Sequence, residues 1–219
     1  MWFLLAALIF AALTAFATWK KNRAVEFVAK PAVMIALLIY LWTSVELQGA
    51  LLWFALGMLF SLAGDVLLLW LDRMFLFGLA AFLLAQIAYI VGFNLPSSPI
   101  SVWGLTMAVI VGLGSARVLR RILSALAENG NARMRIPVTI YGVVIALMLL
   151  SAMLKLTDLA WDANASALVA LGAFLFFLSD IVLAWLKFVT PIQNGRVINI
   201  GLYHLGQICI AAGVAMQFQ

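Results

Sequence analysis

Two carboxylates stand where carboxylates are expensive. Of the eight Asp and Glu residues, Glu26, Glu46, Asp72, Glu128, Asp158 and Asp162 fall in or near the turns between apolar stretches, whereas Asp65 and Asp180 fall inside them. A carboxylate in an apolar span costs at least ~2.5 kcal/mol on insertion scales, so it faces a bundle interior or a water-filled cavity. Asp65 lies eight residues before Arg73, and Asp180 seven before Lys187. At a rise of 1.5 Å per residue, both sit about 10–12 Å below the same boundary. Two carboxyls at one depth suit acid–base work, one donating a proton while the other stabilises a cation and activates water. The plainer alternative is a pair of hydrogen-bond acceptors that join helices.

Other polar residues reach the same layer. Lys30-Pro31 lies several residues into the second apolar span, from which the ammonium either enters the layer or snorkels to the interface. Tyr141 enters with the sixth span, and Tyr203, His204 and Gln207 with the eighth. Gln86 and Tyr89 lie deeper in the fourth. Tyr89 reads as an interfacial belt anchor, and Gln86 and Gln207 as polar glue between helices. His204 is either a general acid or base or a packing residue. A single His and a single Cys, Cys209, exclude a multi-His zinc site and an internal disulfide, so no metal and no cofactor is expected. The chain has no GxSxG, HExxH or P-loop.

The elements that must position these residues are membrane spans. The 219-residue chain is 67% apolar and 10% charged, against roughly 45–50% and 25% in a soluble domain, and its mean hydropathy is +1.18. Eight helices of ~20 residues account for most of it, and the unbroken apolar runs argue against an alternating β-barrel. The spans read as 2–18, 25–44, 49–71, 74–93, 99–116, 136–154, 165–187 and 197–217, in one domain over 1–219. The fifth connection, with Arg117, Arg120, Arg121, Arg133 and Arg135, reads as a solvated basic loop. Ala15-Phe16-Ala17 imitates a signal-peptidase site but has no basic region before it, so the first span is expected to stay. Twelve of the 13 Lys and Arg fall at connections 1, 3, 5 and 7, with Lys155 alone on the other side. The positive-inside rule then places both termini on the non-cytoplasmic side. It also accounts for the net charge of +5 without nucleic acid.

The chain also aligns with itself. Gly64-Asp65-Val66-Leu67-Leu68-Leu69-Trp70-Leu71 matches Ser179-Asp180-Ile181-Val182-Leu183-Ala184-Trp185-Leu186, Gln86 matches Gln207, and Pro31 matches Pro137. The expected architecture is therefore an all-α polytopic membrane protein of two four-helix pseudo-repeats, about 1–98 and 99–219. Four spans each would give the repeats a common orientation.

Over nearly its whole length the sequence resembles the YhhN family of polytopic membrane proteins. The match is carried by Lys30-Pro31, Gly64-Asp65, Ala85-Gln86-Ile87-Ala88-Tyr89, Pro137 with Tyr141, Gly172-Ala173-Phe174-Leu175-Phe176-Phe177-Leu178-Ser179-Asp180, and Tyr203 with Gln207. Two positions depart from the family pattern, which commonly has His where Gln86 stands and Tyr where His204 stands. The resemblance implies a lysoplasmalogenase, cleaving the vinyl-ether bond of a lysophospholipid to a fatty aldehyde and glycerophospho-ethanolamine or -choline. Vinyl-ether cleavage needs protonation at carbon and an oxocarbenium-like cation, the demand that glycosidases meet with two carboxyls. Asp65 and Asp180 would be that catalytic pair. Lys30, Tyr141, Ser179, Tyr203, His204, Gln207 and Gln86 would face the substrate, Lys30 holding its phosphate or one carboxylate, and Ser179 bonding the neighbouring carboxylate. The expected location is the bacterial inner (plasma) membrane. A non-catalytic lipid or small-solute transporter is the alternative that the same layout allows.

Overall fold

Chain polarity leaves few options for this sequence: in a bilayer the backbone must satisfy its own hydrogen bonds, and runs rich in Leu, Ala and Phe do so as helices. The computed structural model describes residues 2–95 and 101–219, without the side chains of Leu71 and Asp72. It contains eight long helices: α1 (Trp2–Trp19), α2 (Arg23–Ser44), α3 (Ala50–Leu68), α4 (Leu71–Phe93), α5 (Val102–Glu128), α6 (Arg135–Leu154), α7 (Ala163–Phe188) and α8 (Gly195–Phe218). Among the described residues there is no strand, and all eight helices are long and apolar enough to cross a membrane. Residue 99, where the fifth span was expected to begin, lies outside the described residues.

Side-chain caps mark several starts. The Asn22 carboxamide accepts from the Val25 amide, Ser101 from Gly104, and Asp162 from Asn164 and Ala165, each relieving amides that have no partner in the first turn. Pro31 lies inside α2, where it removes one backbone bond without ending the helix.

The largest departure from the sequence reading is α5. Arg117, Arg120 and Arg121 belong not to a loop but to a helix that runs on to Glu128. The segment is rich in helix formers, and Leu119, Ile122, Leu123 and Leu126 form a stripe that packs with Phe75, Val138 and Phe188. At 27 residues the helix is about 40 Å long, longer than a ~30 Å hydrocarbon core. Its arginines therefore ride on a helical extension. A turn at residues 129–131 and a short 3₁₀ helix, Ala132–Met134, connect it to α6.

One apolar core draws on every helix, from Ala7 of α1 through Phe54, Tyr89, Met148 and Phe176 to Ile210 of α8. The most extensive interfaces are α7 with α8 and α3 with α4. In the first, Gly172 and Gly206 let two backbones touch: a Cβ on Gly172 would lie 2.6 Å from the Gly206 carbonyl oxygen. Large aliphatic and aromatic residues such as Trp42, Trp103, Leu113 and Ile136 remain exposed on the outside of the bundle, as a lipid-facing surface requires.

The two ends of the bundle differ in charge. Lys21, Arg23, Glu26, Asn194 and Arg196 line one cavity, so the α1–α2 and α7–α8 connections share an end. At the α6–α7 connection, Lys155 pairs with Asp158 at 3.0 Å and lies over the Trp161 ring.

Candidate functional site

Asp65 is fully buried near the C-terminal end of α3. Lys30, one side of α2, places its Nζ 3.2 Å from Asp65 Oδ1. From α8, the Tyr203 hydroxyl donates to Oδ2 at 2.7 Å. Three helices thus converge on one carboxyl. The Tyr203 ring is fixed by edge contacts with Phe82 at 5.6 Å and Phe176 at 5.3 Å between centroids, which leaves its hydroxyl little freedom to turn elsewhere.

Asp180 is differently furnished. The Tyr141 hydroxyl of α6 donates to its Oδ2, and among the described residues no Lys or Arg forms an ion pair with it. Its carboxyl lines two small, almost wholly apolar cavities. One, of about 60 Å³, lies among α5, α6 and α7 and includes Ser115, Gly142 and Phe177; the other, of about 40 Å³, includes Phe75, Phe82 and Leu79. Each has room for water. Phe82 lines the second cavity with Asp180 and packs edge-on against Tyr203, the phenol bound to Asp65, so the two carboxyls share a neighbour.

A polar vestibule of about 350 Å³ opens beside this pair. It is lined by Glu26, Lys30, Lys187, Arg196 and Asn199, with aliphatic residues between. It shares Glu26, Leu186 and Arg196 with an outer cavity of about 510 Å³ that adds Lys21 and Arg23. Lys30 belongs both to the vestibule wall and to the Asp65 ion pair. The arrangement offers cations for an anionic group at the mouth, two carboxyls within, and apolar space around the second.

The residues singled out from the sequence fall into three groups. Lys30, Asp65 and Tyr203 form one cluster, and Tyr141 and Asp180 the other. Gln207 is structural glue, accepting from Tyr89 at 2.7 Å and donating to Ser61 at 3.0 Å. Gln86 is fully buried, and neither carboxamide atom has a hydrogen-bond partner among the described residues. His204 is fully buried, with neither ring nitrogen hydrogen-bonded among the described residues. The expectation for Ser179 changes: its hydroxyl and carbonyl oxygens both accept from Asn199, at 2.8 Å, so it ties α7 to α8. Tyr89 is no belt anchor, being fully buried against Phe54. Glu26, grouped by sequence with the loop carboxylates, is buried and receives the Arg196 guanidinium at 2.7 Å.

Comparison with known proteins adds relatives to this geometry. The YhhN family profile matches residues 25–214. Lysoplasmalogenase TMEM86B of Sus scrofa is 31% identical over 179 residues, covering 78% of this chain and 64% of that protein. The protein of the same name from Mus musculus is 31% identical, with 81% and 70% covered. Lysoplasmalogenase TMEM86A of Bos taurus is 29% identical over 71% of this chain. The match thus spans just under two thirds of the length of the Sus scrofa protein. No solved structure matches.

Proposed function

The chain belongs to the YhhN family, and from that premise we propose that it is a membrane-embedded hydrolase of lysoplasmalogens, releasing a fatty aldehyde and glycerophospho-ethanolamine or -choline. The observation that carries the reading is the unequal furnishing of two carboxyls inside the bundle: fully buried Asp65 has a cation and a phenol, whereas half-buried Asp180 has, among the described residues, a phenol alone. Such inequality separates roles. A carboxylate with Lys30 beside it is stabilised as the anion, whereas a carboxyl in apolar space without a cation favours its neutral form.

In this mechanism Asp180 carries the proton. It protonates the vinyl carbon remote from oxygen, leaving an oxocarbenium-like cation. The Asp65 carboxylate offsets that charge and, with Tyr203, orients a water onto the cationic carbon. The hemiacetal so formed collapses to aldehyde and the glycerol hydroxyl, and the water's proton restores Asp180. One water is consumed. No metal or cofactor is required, since both proton donor and charge stabiliser come from the chain. Positioned acid–base groups of this kind contribute about 10² to 10⁴ each in rate.

The same reading places the protein in the bacterial inner membrane, with both termini non-cytoplasmic and two four-helix pseudo-repeats. α2 delivers Lys30 to the Asp of α3 as α6 delivers Tyr141 to the Asp of α7, so corresponding helices would serve corresponding carboxyls. The decisive experiment incubates detergent-purified protein with lysoplasmenyl ethanolamine and measures free aldehyde. A hydrolase releases it with turnover; a transporter releases none, and that result would overturn the proposal.

A further inference from the structure

The vestibule has an unusual member. Most of its charged wall is cationic, yet Glu26 also lines it, buried to 4% side-chain exposure, while its partner Arg196 is 55% exposed. A cavity meant only for a phosphate gains nothing from a carboxylate. A buried carboxylate set among cations does match a ligand that carries both signs.

We propose that Glu26 and Arg196 form a clamp for the zwitterionic head group of the lysolipid substrate proposed above, and that the clamp selects a primary ammonium. Arg196 is the mobile half. Its exposed guanidinium can turn from Glu26 to the incoming phosphodiester, joined there by Lys187 and Lys30 of the same wall, and guanidinium binds phosphate with paired hydrogen bonds. Glu26 is the fixed half, and the ligand's ammonium replaces the guanidinium it gives up. Each charge of the internal ion pair is thus exchanged for the opposite charge of the ligand, and no buried carboxylate is stranded.

The spacing fits. Glu26 and Lys30 are four residues apart on α2, which sets their Cβ atoms about 5–6 Å apart on one face, a span that a two-carbon amino alcohol bridges. Lys30 then leads inward to Asp65, 3.2 Å away, so head group, glycerol and vinyl ether would lie in that order from mouth to carboxyls. The vestibule, at about 350 Å³, lies within the roughly 300–1,000 Å³ of small-molecule sites. Choline is the poorer fit. Its methyls offer no N–H to Glu26, and Trp19 is the one aromatic among the described residues lining the two cavities, short of the aromatic cage that holds quaternary ammonium.

Isothermal titration of the full chain in detergent tests this with three soluble phosphodiesters: glycerophosphoethanolamine, glycerophosphocholine and glycerophosphoglycerol. The first should bind about tenfold tighter than the other two, the effect of one hydrogen bond between charged groups. Glu26→Gln should level the three affinities, and Arg196→Met should weaken all three together. Equal or undetectable binding of the three by the unaltered protein overturns the clamp, as does a Glu26→Gln variant that keeps the preference. Should Glu26→Gln fail to fold, Glu26→Asp, with the carboxylate drawn back, should narrow the preference, and an unchanged preference counts against the proposal. Aldehyde release is read separately: hydrolysis without amine preference refutes the clamp alone, and Glu26-dependent binding without hydrolysis refutes the enzymatic reading alone.

Discussion

Lys30 and Asp65 form a nearly dry ion pair, 3.2 Å from Nζ to Oδ1, with side-chain exposures of 10% and 1%. Breaking such a pair from one side strands a charge in low dielectric, typically at 3–5 kcal/mol. Lys30→Met should therefore lower thermal stability sharply and depress kcat, since Asp65 loses the cation that keeps it ionised. Adding Asp65→Asn should restore much of the stability but none of the activity. Melting temperatures of the two single variants and the double variant decide this; additive losses would show that the pair is not energetically coupled.

The carboxyls themselves give the sharpest kinetic expectation. Asp65→Asn and Asp180→Asn each keep the size of the side chain but can neither carry charge nor donate an acidic proton. Each should reduce aldehyde release by about 10² to 10⁴. Because the two act as one unit, the double variant should be scarcely slower than the weaker single one. Near-normal turnover in either variant, at matched monodispersity, would make that carboxyl structural.

Tyr141→Phe removes the hydroxyl that orients Asp180 and leaves the ring in place. Asp180 is neutral in the proposed mechanism, and a hydrogen bond between neutral groups contributes about 0.5–1.5 kcal/mol, so kcat should fall roughly twofold to tenfold while KM changes little, the pattern of an interaction spent on the transition state. A rise in KM with unchanged kcat would instead assign Tyr141 to substrate binding.

The individual residues of the site were easier to read than their pairing. Asp65, Asp180 and Lys30 are conspicuous in sequence because charge inside an apolar span is costly wherever it stands. That Tyr203 serves Asp65 and Tyr141 serves Asp180 depends on α8 meeting α3 and on α6 meeting α7, which no local pattern specifies. Glu26 was hidden by its position in the first turn of α2, where an acidic residue is ordinarily a solvated helix-dipole partner. Tyr89 misled for a similar reason. Its burial depends on Gly57 of the facing helix, where any Cβ would collide with the ring. Helix count followed from apolar length alone, but the end of α5 did not: its arginines resembled a loop until the leucines between them found Phe75 and Phe188.

Topology offers a prediction independent of chemistry. With Lys21, Arg23 and Arg196 at one end of the bundle and an even number of spans, both termini should lie at the opposite, non-cytoplasmic end. Reporter domains fused after Gln219 should be active only when they require export. Activity confined to a cytoplasmic reporter would invert the map.

A close approach of two helix backbones sets the last expectation. Asp180 is aimed by α7, and α7 is held against α8 where Gly172 faces Gly206: a Cβ on Gly206 would lie 2.8 Å from the Gly172 carbonyl oxygen and 2.9 Å from the Phe176 amide nitrogen. Both obstacles are backbone, so no side chain can move aside, and the helices must separate. Gly206→Ala should cost about 1–3 kcal/mol, as overpacking does. The separation should also pull Tyr203, three residues away on α8, from its 2.7 Å contact with Asp65, so activity should fall further than stability alone explains. Gly201→Ala, on the same helix with nothing within 4 Å of its Cβ, is the control and should leave both intact. If Gly206→Ala melts like the parent and turns over at the parental rate, α7 and α8 are not held by this contact, and the positioning of the two carboxyls must have another source.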